Sequence, residues 1–187
     1  MKTILEKTTN EIIIKNSRFI TILFPLESDN INNYLEDIKQ EYPKATHYCY
    51  AYIYEDKKHS SDDGEPSSTA GLPMLNVLEK ENLMNVLAIT VRYFGGIKLG
   101  AGGLVRAYTK SLTNTLQNTK LKELIEGYRI LIETDYSNGK QLDYILRESN
   151  IINKEFNEKI KYIVDISKEN LEKLSIYNPT IIEEKYI

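Results

Sequence analysis

The sequence predicts an α+β chain in two parts: a β-β-α-β-α-β-α unit over residues 1–122 and a small ferredoxin-like βαββαβ unit over residues 123–187. Three observations predict it. The apolar period alternates along the chain between the strand value of two and the helical value of about 3.6. Seven of the nine glycines lie between Gly64 and Gly103, so the first part has a texture the second lacks. After Lys120 the pattern becomes a clean β-α-β-β-α-β, and the polar stretch near Lys122 marks the boundary.

The elements follow in order. Glu11–Lys15 and Arg18–Leu23 are short apolar runs around Asn16-Ser17 and predict a hairpin. Ser28 or Asp29 is placed to cap a helix bearing Ile31, Tyr34, Leu35 and Ile38, and Pro43 ends it. Tyr48–Tyr54 alternates, with four tyrosines on one face and Cys49, Ala51 and Ile53 on the other. Lys57 to Ser68 reads as a polar loop, and Thr69 as the cap of a helix through Leu78. Val86–Val91 is apolar without alternation, which predicts a central strand buried on both faces. Gly95 and Gly96 break it, and a helix follows from Ala101 to Gln117 with Leu104, Tyr108 and Leu112 inward. In the second part, Tyr128–Thr134, Ile151–Phe156, Lys159–Ile166 and Thr180–Tyr186 are strands. Ser137 and Ser167 cap the two helices.

Composition excludes several classes. A formal net charge of -3 is wrong for a generally basic nucleic-acid coat but compatible with a local basic face. No apolar run approaches the ~20 residues of a membrane helix. The opening MKTILEKTTNEIII carries Glu6 and Glu11 and has no continuous apolar core, so it does not read as a secretory signal. One cysteine, Cys49, cannot form an internal disulfide, which fits a reducing cytosol; the expected location is cytoplasmic.

Charge is segregated. Glu41, Glu55, Asp56, Asp62, Asp63, Glu65, Glu79 and Glu81 precede a window from Asn82 to Lys122 without any acid. That window holds Arg92, Lys98, Arg106 and Lys110, the last two four apart and therefore on one helix face. Gly95, Gly96, Gly100, Gly102 and Gly103 lead into the helix, where free N–H groups and the positive dipole end attract phosphate. The run GGIKLGAGG is neither a Walker loop nor a dinucleotide fingerprint. The competing reading is tight packing of helix on sheet.

Asp62, Asp63 and Glu65 could hold a magnesium ion; alternatively Asp62 and Asp63 accept backbone N–H bonds in a turn, and Asp63 or Glu65 pairs with Arg92 or Arg106. His47 and His59 have no zinc-site spacing, and Cys49 reads as a packed thiol. Tyr48, Tyr50 and Tyr52 could stack unpaired bases or pack against a helix.

HYCYAY at 47–52, SSDDGEPSSTAGLP at 60–73 and ITVRYFGGIKLGAGGLVRAY at 89–108 resemble the Impact family, the YigZ-type proteins of bacteria. Asn16-Ser17-Arg18-Phe19-Ile20 fits the same pattern, and the resemblance covers roughly Glu11 to Leu116. Ser68 stands where the family usually has glycine. The resemblance implies a first domain similar to the second domain of ribosomal protein S-five and a second domain like those of elongation factor G. Ribosome or RNA association is what it implies for this chain; the protein partner of eukaryotic members is not carried over.

The leading expectation is a non-enzymatic binding protein of RNA, the ribosome or translation regulation, without a cofactor. Two other readings stand beside it. One is an enzyme on a small phosphorylated substrate, with the acidic turn as metal holder or base. The other is a protein–protein adaptor whose second domain presents a sheet edge.

Overall fold

The computed structural model describes residues 1–187, which fold as two units, Met1–Glu123 and Leu124–Ile187. The first contains β1 (Lys2–Ile4), β2 (Thr8–Ile14), β3 (Ser17–Pro25), α1 (Ile31–Glu41), β4 (His47–Tyr54), β5 (Lys57–Ser61), α2 (Gly71–Lys80), β6 (Val86–Tyr93), α3 (Ala101–Gln117) and β7 (Leu121–Glu123). Five strands form an antiparallel sheet in the order β2-β3-β6-β4-β5, and β1 pairs with β7 in a separate ribbon.

The β2–β3 hairpin turns through Lys15 and Asn16, both at positive φ, the geometry whose twist matches the flanking strands. β6 lies at the centre, and every residue from Val86 to Arg92 is buried. One sheet face carries Phe19, Leu23, Cys49, Ala51, Ile53, Val86 and Ala88 against Met74, Leu78, Leu104, Tyr108 and Leu112 of α2 and α3. The other carries Ile20, Ile22, Leu87, Ile89 and Val91 against Ile31 and Ile38 of α1, with the β4 tyrosines at its margin. Buried hydroxyls fix α3 on the sheet. Thr21 Oγ1 lies 2.7 Å from both Thr90 Oγ1 and Ser111 Oγ. Satisfied polar contacts of this kind specify one docking position, because any other leaves a buried hydroxyl unpaired.

The second unit contains β8 (Glu126–Thr134), α4 (Tyr136–Ile145), β9 (Asn150–Phe156), β10 (Ile160–Ser167), α5 (Lys168–Lys173) and β11 (Thr180–Tyr186). Its antiparallel sheet has the order β11-β8-β10-β9, the ferredoxin-like arrangement. Ile130, Ile132, Tyr162 and Val164 pack against Leu142, Leu146 and Leu174. Arg129 forks onto Asp165 at 2.8 and 3.0 Å. No helix in the chain is long and apolar enough to cross a membrane.

Four local expectations change. Part of the polar loop is a strand, β5, which escapes detection because an edge strand reading KKHSS has no apolar alternation. Neither Ser28 nor Asp29 caps α1: its N-cap is Asn30, and Asp29 instead receives Lys57. α4 starts at Tyr136, one residue before Ser137, whereas Ser167 does cap α5 by accepting from Asn170 N. Thr69 does not cap α2; its hydroxyl donates to Pro66 O, and the capping group comes from Asp62.

Ser68 sits at φ 60°, a left-handed conformation that costs a residue with Cβ roughly 1 kcal/mol more than glycine. Ser68→Gly is therefore expected to stabilise the first unit by about 0.5–1 kcal/mol. Urea unfolding measures it, and an unchanged or lowered midpoint contradicts the strain.

Candidate nucleic-acid interface

The acidic turn is built inward. Asp62 Oδ1 accepts from Ala70 N and Gly71 N, both at 2.9 Å, and Oδ2 accepts from Ser68 N at 2.8 Å. The carboxylate thus replaces the side-chain cap that α2 lacks. Burial pushes the Asp62 carboxyl up, but the amides of Gly71, Ala70, Ser68 and Thr69 outweigh it and hold the group below the usual carboxylate range. Asp63 Oδ2 accepts from Tyr48 N at 2.6 Å. The Asp63 carbonyl lies 2.8 Å from His47 Nδ1; a carbonyl only accepts, so that nitrogen carries the hydrogen. The other ring nitrogen, Nε2, is 3.7 Å from Glu65 Oε2.

Glu65 is the hinge of the arrangement. Its side chain is 3% exposed. Oε1 accepts from Arg92 Nη1 at 2.5 Å and from Tyr108 Oη at 2.8 Å. All three acidic side chains are thereby committed within the protein, and no three His, Cys, Asp or Glu residues gather as a metal site. The magnesium and catalytic-base readings find little support in this donor set: both Asp62 oxygens, Asp63 Oδ2 and Glu65 Oε1 already accept hydrogen bonds from the protein.

Arg92 requires a correction too. Of the two roles the sequence offers it, anion binding and pairing with Asp63 or Glu65, the structure has the second: Arg92 is 5% exposed and bonded to Glu65. Its guanidinium lies between the rings of Phe19 and Phe94 at 5.3 and 5.5 Å, and Nη2 is 3.4 Å from Ser17 Oγ. Nε is buried without a partner. Strand parity carries the signal for this: Arg92 shares a face with Val86 and Ala88, and β4 sets His47 directly opposite it.

Cys49 is fully buried, its thiol 3.0 Å from Asp62 O and 3.2 Å from Tyr108 Oη. Burial pushes the thiol far above its ordinary pKa, so the reactive thiolate is absent. The folded protein is expected to ignore Ellman's reagent and to yield its single thiol only in denaturant; rapid labelling of native protein contradicts this burial.

The remaining cations face water. Lys98, Arg106 and Lys110 are exposed, and none has an ion-pair partner, unlike Lys7, Arg18, Lys57, Lys58 and Lys120. Gly95 packs so closely on the β2–β3 turn that a Cβ would stand 2.1 Å from the Asn16 backbone, and its N–H donates to Ser17 Oγ at 3.1 Å. Gly96 and Gly100 are at positive φ. α3 then begins with Gly100 as N-cap, no side-chain cap and no acid in the first turn. The first intrahelical bond of this turn comes from Leu104 N to Gly100 O, so the amides of Ala101, Gly102 and Gly103 are free of that ladder. Arg106 Nη1 would be 3.6 Å from a Cβ on Gly102, which places the guanidinium over this uncapped turn. Lys110 follows one turn later. Helix dipole, bare amides and guanidinium all attract an anion here.

The tyrosines are differently engaged. Tyr48, Tyr50 and Tyr52 are half-buried on the α1 face. Tyr48 donates to Tyr42 O at 2.6 Å, and Lys39 stands 5.7 Å over its ring. Tyr50 and Tyr52 each meet the His59 ring at 5.9 Å. Their stacking capacity is largely used internally, which disfavours the base-stacking role. Tyr108 and Ser17 are site residues that sequence reasoning did not assign to the site; for Tyr108 the signal is its inward helical phase.

Residues 15–116, more than half of the chain, match the family model of the Impact N-terminal domain. The chain is 39% identical over 166 residues to IMPACT family member YvyE of Bacillus subtilis, covering 86% of this chain and 76% of that protein. It is 35% identical over 151 residues to IMPACT family member YigZ of Escherichia coli, covering 76% of this chain and 74% of the relative. A crystal structure described as that of a hypothetical protein superposes with a TM-score of 0.72 at 28% identity, covering 96% of this chain and 95% of its own. The shared segment contains Glu65, Arg92, Arg106 and the glycine loop, and the chain belongs to the IMPACT family.

Proposed function

We propose that this protein is a non-enzymatic RNA-binding component of the translation machinery, holding phosphates through Lys98, Arg106, Lys110 and the first turn of α3. One observation carries the reading: Arg106 lies over an uncapped, acid-free helix start, with no carboxylate to neutralise it. A cation beside the positive end of a helix dipole is unfavourable without an anion. Polyanionic RNA supplies one at each nucleotide. Family membership supports the translational setting. The enzyme reading loses ground because the acidic turn, its source of metal ligands and base, is committed to backbone amides, Arg92 and Tyr108.

Co-sedimentation with ribosomal particles at low and raised salt tests it. Wild-type protein is expected to pellet at low salt and to be released as salt rises, because bound cations displace condensed counterions. Arg106→Glu should abolish pelleting at both. Pelleting that ignores salt, or an Arg106→Glu variant that still pellets, overturns the proposal.

A further inference from the structure

Resting on the RNA reading, we infer that Phe94 is a stacking platform for an unpaired nucleobase, so the ligand is single-stranded rather than duplex RNA. In the first unit Phe94 is the exposed aromatic ring, 46% exposed, while every tyrosine there is at least half-buried. Exposure of a large apolar ring normally accompanies a mobile tip; here the backbone is anchored on both sides. Phe94 N donates to Thr46 Oγ1 at 3.0 Å, and Gly95 N donates to Ser17 Oγ at 3.1 Å. The Gly95 backbone is also pressed onto Asn16, where no Cβ fits. One face of the ring rests on the Arg92 guanidinium at 5.5 Å, whose charge Glu65 satisfies. The outer side is left to solvent.

A rigidly held ring with one open side is preorganised for contact, since little conformational freedom is lost on binding. What it contacts follows from its neighbours in the chain. Beyond Gly95 and Gly96 come Ile97, 45% exposed, and Lys98, an exposed cation without an ion pair, and the loop ends at the uncapped start of α3. An aromatic surface in one loop with phosphate-seeking groups suits a nucleotide, whose base stacks while its phosphate is held. In duplex RNA the base faces are already stacked, so the ring has nothing to receive. Of the two readings of Tyr48, Tyr50 and Tyr52, stacking thereby passes to Phe94, which the sequence did not single out.

The test is fluorescence anisotropy with a labelled oligoadenylate and with an RNA duplex of equal length, over a range of salt. Phe94→Ala should weaken oligoadenylate binding about five- to hundredfold. It should leave the slope of log affinity against log salt unchanged, because no phosphate contact is lost. Phe94→Trp should bind like wild type, and thermal unfolding of both variants should match it. The duplex should bind less tightly than the oligoadenylate. Three results overturn the inference while sparing the phosphate site: Phe94→Ala binding like wild type when Arg106→Glu does not, a duplex bound as tightly as the single strand, or Phe94→Leu retaining full affinity, which marks a plain apolar contact of the kind a protein partner makes. Failure of the wild type to bind either RNA at low salt removes the RNA reading and this inference together.

Discussion

Arg92→Met is expected to destabilise the first unit by about 3–5 kcal/mol, the cost of leaving one member of a buried ion pair without its counter-charge. That is a large fraction of the roughly 5–15 kcal/mol that holds a domain together. The Glu65 carboxylate, 3% exposed, would keep Tyr108 as a donor but lose the Arg92 Nη1 bond. Adding Glu65→Gln removes the orphaned charge, and the amide oxygen still accepts from Tyr108. The double variant should therefore be more stable than Arg92→Met alone, because replacing both members of a buried pair by neutral groups is often close to neutral. Urea unfolding of the two singles and the double gives the coupling. Additive losses would mean that Glu65 and Arg92 do not act as a pair.

Asp62→Ala should cost about 2–4 kcal/mol, more than the ~1 kcal/mol typical of a lost helix cap. The reason is the number of donors: Ser68, Ala70 and Gly71 all lose their acceptor at once. Asp62→Asn keeps one oxygen and should fall between. A pH dependence accompanies this. The folded-state pKa of Asp62 is depressed, so between the folded and unfolded values the unfolded chain binds more protons. The Asp62 contribution is then fully present above the unfolded value of about 3.9 and fades as pH falls through the lower folded value. Melting curves from neutral pH to about pH 3 should show wild type losing this increment and Asp62→Asn lacking it. Equal acid sensitivity in both would contradict the assignment.

These two side chains illustrate what was legible in the sequence. The alternation of Tyr48 to Tyr54 and the apolar run of β6 followed from period alone, since burial on one or two faces writes itself into hydrophobicity. The βαββαβ pattern of the second unit was readable for the same reason. β5 was not, because an edge strand faces solvent and its pairing is carried by backbone groups that no side chain reports. The Asp62 cap was hidden because the cap reaches α2 from eight and nine positions earlier, whereas capping rules look one residue before the helix. The Glu65–Arg92 pair spans 27 residues; the sequence offered it as one of several pairings and could not choose among them by charge alone. Parity was the better guide: an arginine on the inward face of a central strand has to meet a partner. Lys98, Arg106 and Lys110 were visible as an acid-free window, but the fold of Arg106 back over Gly102 depends on side-chain geometry that sequence does not carry.

The most direct measurement is an equilibrium titration of single-stranded RNA against wild type, Arg106→Ala and Lys110→Ala across salt concentrations. If the uncapped start of α3 and its cations form the anion site, each variant binds more weakly and with a salt slope shallower by roughly one unit or less, while the folded stability does not fall. Variants that bind RNA with wild-type affinity and slope would show that the phosphates are held somewhere else, and the site assigned to α3 would be wrong.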